Sequence, residues 1–496
     1  MTGRARTLAD LGLTAAGPVA ARPLAGITAD SRAVAPGFLF AALAGSRDHG
    51  ARHVPGALAR GAAAILTDAA GADIARAALA GHPGAALVVA EDARAALAMA
   101  AALWFGAQPR VMAAVTGTNG KTSVASFTRQ IWAALGHPAI NLGTTGVEGA
   151  WTAPSGMTTP DPVALHRLLA EAAQAGITHA AMEASSHGLD QRRLDGVRLA
   201  AAGFTNLTQD HLDYHGTMEA YFDAKCGLFD RLLPPEGTAV INADDPRGAV
   251  LAAALRGRGG PVIATGTAEG ADLRIAGQRF DATGQDVRLI WQGRPVQVHL
   301  TLVGGFQAAN VAVAAGLAIG CGAAPGDVFA ALPRLATVRG RMERVAQRGN
   351  GAAVYVDYAH TPDAVDTALA ALRPHVMGRV IAVIGAGGDR DRTKRPLMGA
   401  AAARRADHVF VTDDNPRSED PATIRAAVLA GCPAAEEVGD RAEAILRAAA
   451  LLEPGDALLI CGKGHETGQE IAGTIYPFDD AEQASLAVAA LDGAIR

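Results

Sequence analysis

Residues Val115-Thr116-Gly117-Thr118-Asn119-Gly120-Lys121-Thr122-Ser123 make a glycine-rich loop ending in Gly-Lys-Thr, set between an apolar run (Val111 to Val115) and a helical pattern. Backbone N–H groups in such a loop can cradle phosphate oxygens, Lys121 supplies charge, and the Thr122 hydroxyl can reach a Mg²⁺ ion. Only Thr118 and Asn119 separate Gly117 from Gly120, where the common phosphate loop has four residues between its glycines. A bare Gly-Lys-Thr reads as a turn with a solvated lysine. The flanking pattern argues otherwise: Val124, Phe127, Ile131 and Leu135 recur at three- and four-residue steps, which predicts one buried helix face. Nucleoside triphosphate chemistry is therefore the first expectation.

Other residues of suitable type lie further along. Glu183, in Met182-Glu183-Ala184-Ser185-Ser186-His187-Gly188, follows a short apolar approach from Ile177. At a strand end its carboxylate suits a hard cation such as Mg²⁺; by itself it could equally be a surface glutamate. His211 and His215 are four residues apart, a spacing that can place both on one helix face and invites a zinc reading. No third ligand motif and no His-Glu-x-x-His accompany them, so one histidine near a magnesium site and the other structural is the better expectation. Lys225, in a helix-like segment from Tyr221 to Phe229, reads as a solvated helix lysine. Arg390, Arg417 and Glu466 form a last constellation. Arginine's planar fork suits bidentate capture of a carboxylate, and glutamate suits an ammonium group, so together they suggest an amino-acid site. Alone, Asp414-Asn415-Pro416-Arg417 would read as an Asx-Pro turn with an exposed arginine.

Short apolar runs alternate with alanine-rich helical patterns almost throughout, which predicts an α/β protein with largely parallel sheets. At 496 residues, several domains are expected. Boundaries near 106–110 and 336–341 give three blocks: 1–108, 109–337 and 338–496. The third repeats one arrangement four times, an apolar strand followed by a polar loop, at Val354 to Val356, Val380 to Ile384, His408 to Val411 and Ala457 to Ile460. In open α/β sheets ligands bind at the carboxyl ends of strands, so these loops should converge on one cleft.

A net charge of −5 gives no electrostatic reason to expect nucleic acid or an anionic membrane. Cys226, Cys321, Cys432 and Cys461 are scattered without a Cys-x-x-Cys pair, which fits a reducing compartment and neither a zinc site nor a disulfide framework. Near the N-terminus, Arg4 and Arg6 precede an apolar-leaning stretch to Ala21, but Asp10, Gly12 and Gly17-Pro18 interrupt it, so a signal peptide is not expected. Pro295 to Gly326 carries no Asp, Glu, Lys or Arg, yet Gln307, Asn310 and many small residues make a strand followed by a buried helix the better reading. A soluble cytoplasmic protein, with no membrane partner, is expected.

Taken in order, Thr116-Gly117-Thr118-Asn119-Gly120-Lys121-Thr122, Thr158-Thr159-Pro160, Glu183-Ala184-Ser185-Ser186-His187-Gly188 and Asp210-His211-Leu212-Asp213-Tyr214-His215-Gly216 resemble the Mur ligases of peptidoglycan synthesis. So do Gly340-Arg341-Met342-Glu343, Asp357-Tyr358-Ala359-His360-Thr361-Pro362 and Gly462-Lys463-Gly464-His465-Glu466. Within that family the chain is most similar to the branch that adds the third residue of the stem peptide. Asp414-Asn415-Pro416-Arg417 resembles the motif of members that add meso-diaminopimelate; lysine-adding relatives lack that arginine. The physics agrees, because diaminopimelate has one more carboxylate than lysine and Arg417 can pair with it.

The resemblance implies a three-domain architecture: an N-terminal UDP-binding α/β domain, a central ATP-binding domain built on a parallel sheet, and a C-terminal Rossmann-like domain. It implies ATP held by residues 117–123, with Lys121 catalytic, and by Asn310, Arg341, Asp357 and His360; Lys394 also falls in a nucleotide-associated motif. It implies Mg²⁺ near Thr122, Glu183 and His211, and a CO₂-derived carbamate on Lys225 that helps bind the metal. For the UDP-sugar dipeptide it points to Ser31, Thr158, Thr159, Ser185, Gln191 and Arg193. For the amino acid it points to Arg390, Asp414, Asn415, Pro416, Arg417, Gly462 and Glu466. Two departures stand out: Gln307 where the family more usually has Asn, and Asp48-His49-Gly50 where Asp-Gly is usually contiguous.

The implied activity is an ATP-dependent amide ligase joining meso-diaminopimelate to UDP-N-acetylmuramoyl-L-alanyl-D-glutamate through an acyl phosphate, acting as a monomer. A phosphate-loop NTPase switch would explain the loop and Glu183 but leave the amino-acid constellation idle. Stem-peptide ligases acting at the next step and folylpolyglutamate-synthetase-like enzymes are the nearest ligase alternatives, and the Asp-Asn-Pro-Arg loop argues against both.

Overall fold

The computed structural model describes residues 6–15, 21–45, 48–154 and 156–493. Arg4, Gly17-Pro18 and the Ser46-Arg47 part of the first-domain loop lie outside the described residues. Two compact units emerge, 1–271 with 313–328, and 272–312 with 329–496.

The first unit holds two sheets. Gly26–Thr28, Phe38–Ala41, Ala64–Thr67 and Ala86–Val89 pair in that order, all parallel. A second sheet runs Val262–Gly266, Thr238–Asn242, Ala201–Phe204, Val111–Thr116, His179–Glu183, Ala139–Gly143 and Gly146–Gly149, parallel except for the last pair. Its central strand, Val111–Thr116, has five buried residues of six and feeds the phosphate loop. Helix Lys121–Ala134 follows and buries Val124, Phe127 and Ile131 as its spacing requires; Leu135 is the residue that ends it. Because Ala201–Phe204 and His179–Glu183 flank this strand, the carboxyl ends of all three open at one edge.

Helix Pro162–Gln174 starts where Asp161 accepts hydrogen bonds from the Val163 and Ala164 amides. It buries His166, whose Nε2 bonds the Asp195 carbonyl at 2.9 Å. Burial pushes the imidazole from 6.5 down to about 4. With the folded value below the unfolded one, the unfolded chain takes up the proton first. This contribution is therefore complete above pH 6.5 and lost as pH falls from 6.5 towards 4, on the order of 3 kcal/mol in all. His166→Gln, which keeps an N–H donor, is expected to flatten that part of the stability profile; urea midpoints between pH 7 and 4 with the same slope in both proteins would contradict it.

The second unit contains a feature the sequence reading did not anticipate, a three-stranded antiparallel ribbon of Leu273–Asp281, Gly284–Trp291 and Arg294–Leu300. Its second turn has Gln292 and Gly293 at φ 48° and 82°, the mirror-image geometry that suits hairpin twist. The strand of Pro295 to Gly326 is the third of these, and helix Phe306–Gly320 follows with Val311 to Ala315 buried.

The main sheet of this unit runs Glu343–Gln347, Ala353–Asp357, Ala457–Cys461, Val380–Ile384, His408–Val411 and Glu436–Glu437. All four predicted strand–loop repeats are present and mutually parallel. Alternation splits their side chains between two cores. Tyr355, Ala382, Val411 and Leu459 face helices Pro362–Leu372 and Lys394–Arg405, whereas Val356, Val383, Phe410 and Ile460 face Arg441–Ala450 and Asp480–Leu491. Among the described residues no helix is long and apolar enough to cross a membrane.

Candidate active site

The phosphate loop owes its shape to glycine at two points. Gly117 (φ +147°) lies so close to Thr205 that a Cβ would meet Oγ1 at 1.9 Å, and Gly120 (φ 85°) is the left-handed residue preceding the helix. The neighbouring strand's loop braces it. The Thr118 amide donates to the Asn206 carbonyl (2.9 Å), the Asn119 amide to Asn206 Oδ1 (2.9 Å), and Thr205 Oγ1 to the Asn119 carbonyl (2.6 Å). Thr122 and Ser123 begin the helix and are buried.

Two lysines converge here. Lys121 Nζ donates to the Gly117 and Thr118 carbonyls at 3.0 and 2.7 Å, and Lys225 Nζ donates to the same Gly117 carbonyl at 2.8 Å. Lys225 is only 1% exposed, contrary to the solvated lysine its local sequence suggested. It lies 4.3 Å over the Tyr221 ring, and Tyr221 Oη is within 3.2 Å of Thr118 Oγ1. Desolvation first, and then the charge of Lys121, push the Lys225 amine well below its ordinary pKa.

Glu183 ends its strand and is 2% exposed, which disposes of the surface-glutamate reading. Its Oε1 accepts from the Thr144 amide at 2.8 Å and its Oε2 from Thr144 Oγ1 at 3.2 Å. A Cβ on Gly143 would strike Oε1 at 2.0 Å, so that glycine makes room for the carboxylate. Glu183 has no ion-pair partner among the described residues. A buried carboxylate so placed fits a metal ligand. Those residues contain no cluster of three His, Cys, Asp or Glu arranged to hold a metal.

The two-histidine helix face becomes a four-residue turn, Leu212–His215, preceded by His211 in the left-handed region at φ 54°. His211 and His215 join His187, Tyr214 and Tyr221 in an aromatic cluster. Burial, only partly opposed by Asp210, lowers the pKa of His211, and Lys121 and Lys225 lower it further.

Thr158, Thr159, Ser185, Gln191 and Arg193 form one hydrogen-bonded group. Thr158 Oγ1 meets Thr144 Oγ1 at 3.0 Å, and Thr159 Oγ1 donates to the Glu183 carbonyl and accepts from the Ser185 amide. Arg193 reaches the Thr159 carbonyl (2.7 Å) and Gln191 Oε1 (2.7 Å). Ser31 stands apart, opening a turn capped by Asp30, whose hydrogen bond from Arg32 holds its carboxyl near 2. In the altered first-domain loop, His49 bonds Asp68 at 3.1 Å and accepts from the Ala51 amide, so the inserted histidine is a brace.

In the second unit, Asp357 ends its strand and accepts from the Met342 amide at 2.7 Å; burial raises its pKa against the pull of Arg341. The Arg341 guanidinium lies 4.5 Å from the Tyr358 ring centre, and Lys394 Nζ donates to the His360 carbonyl at 3.0 Å. Gly340 (φ 67°) lets this turn press on the next loop, where a Cβ would meet the His465 amide at 2.2 Å. Gln307 is buried and its Oε1 accepts from Asn310 Nδ2 at 3.1 Å, so the unusual glutamine orients the asparagine.

The amino-acid constellation assembles at the carboxyl ends of the parallel strands. Asn415 Nδ2 donates to Glu466 Oε2 (2.9 Å), and Lys463, fully buried, donates to Asn415 Oδ1 (2.9 Å). Arg417, at φ 51°, donates from Nη1 to the Gly388 carbonyl (2.8 Å) and from Nε to Glu470 (3.2 Å). A Cβ on Gly462 would meet Asp414 Oδ2 at 2.3 Å. Pro416 is buried between, while Arg390 is exposed. Beneath, the buried pair Arg441–Asp480 donates from Arg441 to the Asp413 and Cys461 carbonyls, tying the roots of both loops together. Thr144, Lys463 and Glu470 were not singled out by residue-level reading. Lys463 lay inside a recognised motif, but Thr144 and Glu470 had no local signal.

Comparison with known proteins agrees with this architecture. Residues 23–104 match the Mur ligase family catalytic domain, 115–318 the Mur ligase middle domain, and 340–464 the Mur ligase glutamate ligase domain. The chain is 51% identical over 483 residues to the UDP-N-acetylmuramoyl-L-alanyl-D-glutamate–2,6-diaminopimelate ligase of Caulobacter vibrioides, covering 96% of this chain and 98% of that one. It is 51% identical over 477 residues to the enzyme of the same name from Bradyrhizobium diazoefficiens, covering 95% and 96%. A solved structure of a ligase with that name superposes with a TM-score of 0.72 at 33% identity, covering 98% and 99%. The chain belongs to the Mur ligase family, and its α/β architecture is that family's.

Proposed function

We propose that this chain is an ATP-dependent amide ligase that adds meso-diaminopimelate to UDP-N-acetylmuramoyl-L-alanyl-D-glutamate in peptidoglycan precursor synthesis. The observation that carries the amino-acid assignment is the Asn415–Glu466 pair beside Arg417, an ammonium acceptor and a carboxylate fork on adjoining loops. The relatives' shared name supports the substrate pair.

The D-glutamate side-chain carboxylate attacks the γ-phosphate of ATP, giving an acyl phosphate and ADP. The amine of diaminopimelate then attacks the acyl carbon, and phosphate leaves. Carboxylate and triphosphate repel, so the first step needs positive charge fixed in advance, which the loop amides and Lys121 supply. Thr122, Glu183 and His211, with a carbamylated Lys225, would hold Mg²⁺. When bound, the metal neutralises phosphate charge and orients the reacting oxygens. Asn310, Arg341, Asp357 and His360 are assigned to the nucleotide. Ser31, Thr158, Thr159, Ser185, Gln191 and Arg193 are assigned to the UDP-dipeptide. Residues 1–108, 109–337 and 338–496 are taken as the UDP-sugar, ATP-binding and amino-acid domains of a cytoplasmic monomer.

Phosphate release tests this reading with ATP, Mg²⁺ and the UDP-dipeptide, offering meso-diaminopimelate, L-lysine or L-ornithine in turn. Release is expected only with all components and with meso-diaminopimelate strongly preferred. Equal turnover with lysine would sink the specificity, and no turnover with any amino acid would sink the ligase.

A further inference from the structure

We propose that Lys463 is a positioning residue for amino-acid selection, its buried ammonium fixing the Asn415 amide and one oxygen of Glu466 so that the site accepts one configuration at the substrate's distal centre. The proposal rests on the amino-acid site proposed above. Lys463 is 0% exposed, in Gly462-Lys463-Gly464. Burying an ammonium costs several kcal/mol unless it is paired and hydrogen-bonded. Its partners are Asn415 Oδ1 at 2.9 Å and Glu466 Oε2 at 3.4 Å, two groups assigned to substrate.

The geometry dictates what this cation does. Asn415 Oδ1 accepts from Lys463 Nζ and from the Glu470 amide (3.0 Å). Two donors aimed at one atom settle which end of the amide is oxygen and turn Nδ2 towards Glu466 Oε2 at 2.9 Å. Both bonds to Glu466 therefore fall on Oε2, the inward oxygen. The other oxygen, on a side chain one-third exposed, is the acceptor for a substrate ammonium.

The Glu470 amide belongs to the hairpin strand Gly468–Ile471. The Arg417 amide donates to the Glu470 carbonyl at 3.0 Å, and Arg417 Nε pairs with the Glu470 carboxylate. One buried ammonium thus sets the register between Glu466 and Arg417. These two groups would take the ammonium and carboxylate of a single carbon, whose exchange distinguishes meso- from LL-diaminopimelate. Without the ammonium, Asn415 Oδ1 keeps only the Glu470 amide as donor and Glu466 loses its inward charge partner, so both groups are held less firmly.

The test compares Lys463→Met with the unaltered full-length enzyme, and uses Lys463→Gln, which retains a donor towards Asn415, should the methionine variant not fold. Steady-state phosphate release gives KM for each substrate and the kcat/KM ratio of meso- over LL-diaminopimelate; thermal unfolding reports integrity. The KM for meso-diaminopimelate is expected to rise about tenfold or more, the size of one lost charged hydrogen bond. The meso/LL ratio should fall, while KM for ATP and the UDP-dipeptide stays within about twofold. Unchanged meso-diaminopimelate KM and ratio, or equal rises in all three KM values with a lowered Tm, overturn the role of Lys463. No phosphate release by the unaltered enzyme with meso-diaminopimelate overturns the proposed function itself, and this role with it.

Discussion

Replacing Lys225 by alanine is expected to lower kcat by about 10²- to 10³-fold, the scale of removing one preorganised charge-stabilising group, and a small carboxylic acid such as formate or acetate should restore part of it. The expectation starts from burial. A lysine 1% exposed, sharing the Gly117 carbonyl with Lys121, faces desolvation and a like charge, both of which favour the neutral amine. A neutral amine is the form that adds CO₂, and the proposed carbamate would be an anion beside the Lys121 ammonium, a better neighbour than a second cation. On that proposal the alanine variant would remove the anion and leave a cavity that a small acid can enter. The measurement is phosphate release against added acid, with Tm checking that the fold survives. Activity lost without any rescue would point to the ammonium form of Lys225, and activity retained would remove the residue from the chemistry.

Arg417→Ala is expected to raise the KM for meso-diaminopimelate about 10²-fold, consistent with the 2–5 kcal/mol lost when one partner of a desolvated charge pair is truncated. Turnover with lysine, which has no distal carboxylate, should not fall with it, so the preference collapses. The arginine is held in place from both sides. Its amide donates to the Glu470 carbonyl, the Ala472 amide donates to the Arg417 carbonyl at 2.7 Å, and Nη1 is tied to Gly388. Holding a side chain at φ 51° costs of order 1 kcal/mol, which those bonds offset. Arg417→Lys should not recover selectivity, because a point charge cannot reproduce the planar fork. The comparison is kcat/KM for the two amino acids in each variant; an undiminished ratio in Arg417→Ala would remove Arg417 as the selector.

Much of this was legible from residue order because local patterns carry it. The four strand–loop repeats of the last block followed from apolar runs bounded by polar turns, and each became a parallel strand whose side chains alternate between two cores. The phosphate loop declared itself through a strand before and a helix after. The antiparallel ribbon was missed because its exposed strands carry mixed residues such as Arg279, Arg288 and Gln297, which mask the two-residue period. The His211–His215 spacing allows a shared helix face, but the turn is one residue too short to make one, and His211 lies in a left-handed conformation that no helix contains.

The sequence by itself determined the family, the phosphate loop and the Asp-Asn-Pro-Arg motif, since these rest on residue types at short fixed spacings. Only the tertiary structure decided which ordinary residues matter. Lys225 looks like a surface lysine until the fold buries it against Gly117, Lys463 gains its contact with Asn415 only in the fold, and Thr144 acquires its meaning from Glu183, 39 residues away. Charge becomes chemistry when water is excluded and a partner is held within hydrogen-bond reach, and both conditions come from chain segments distant in sequence.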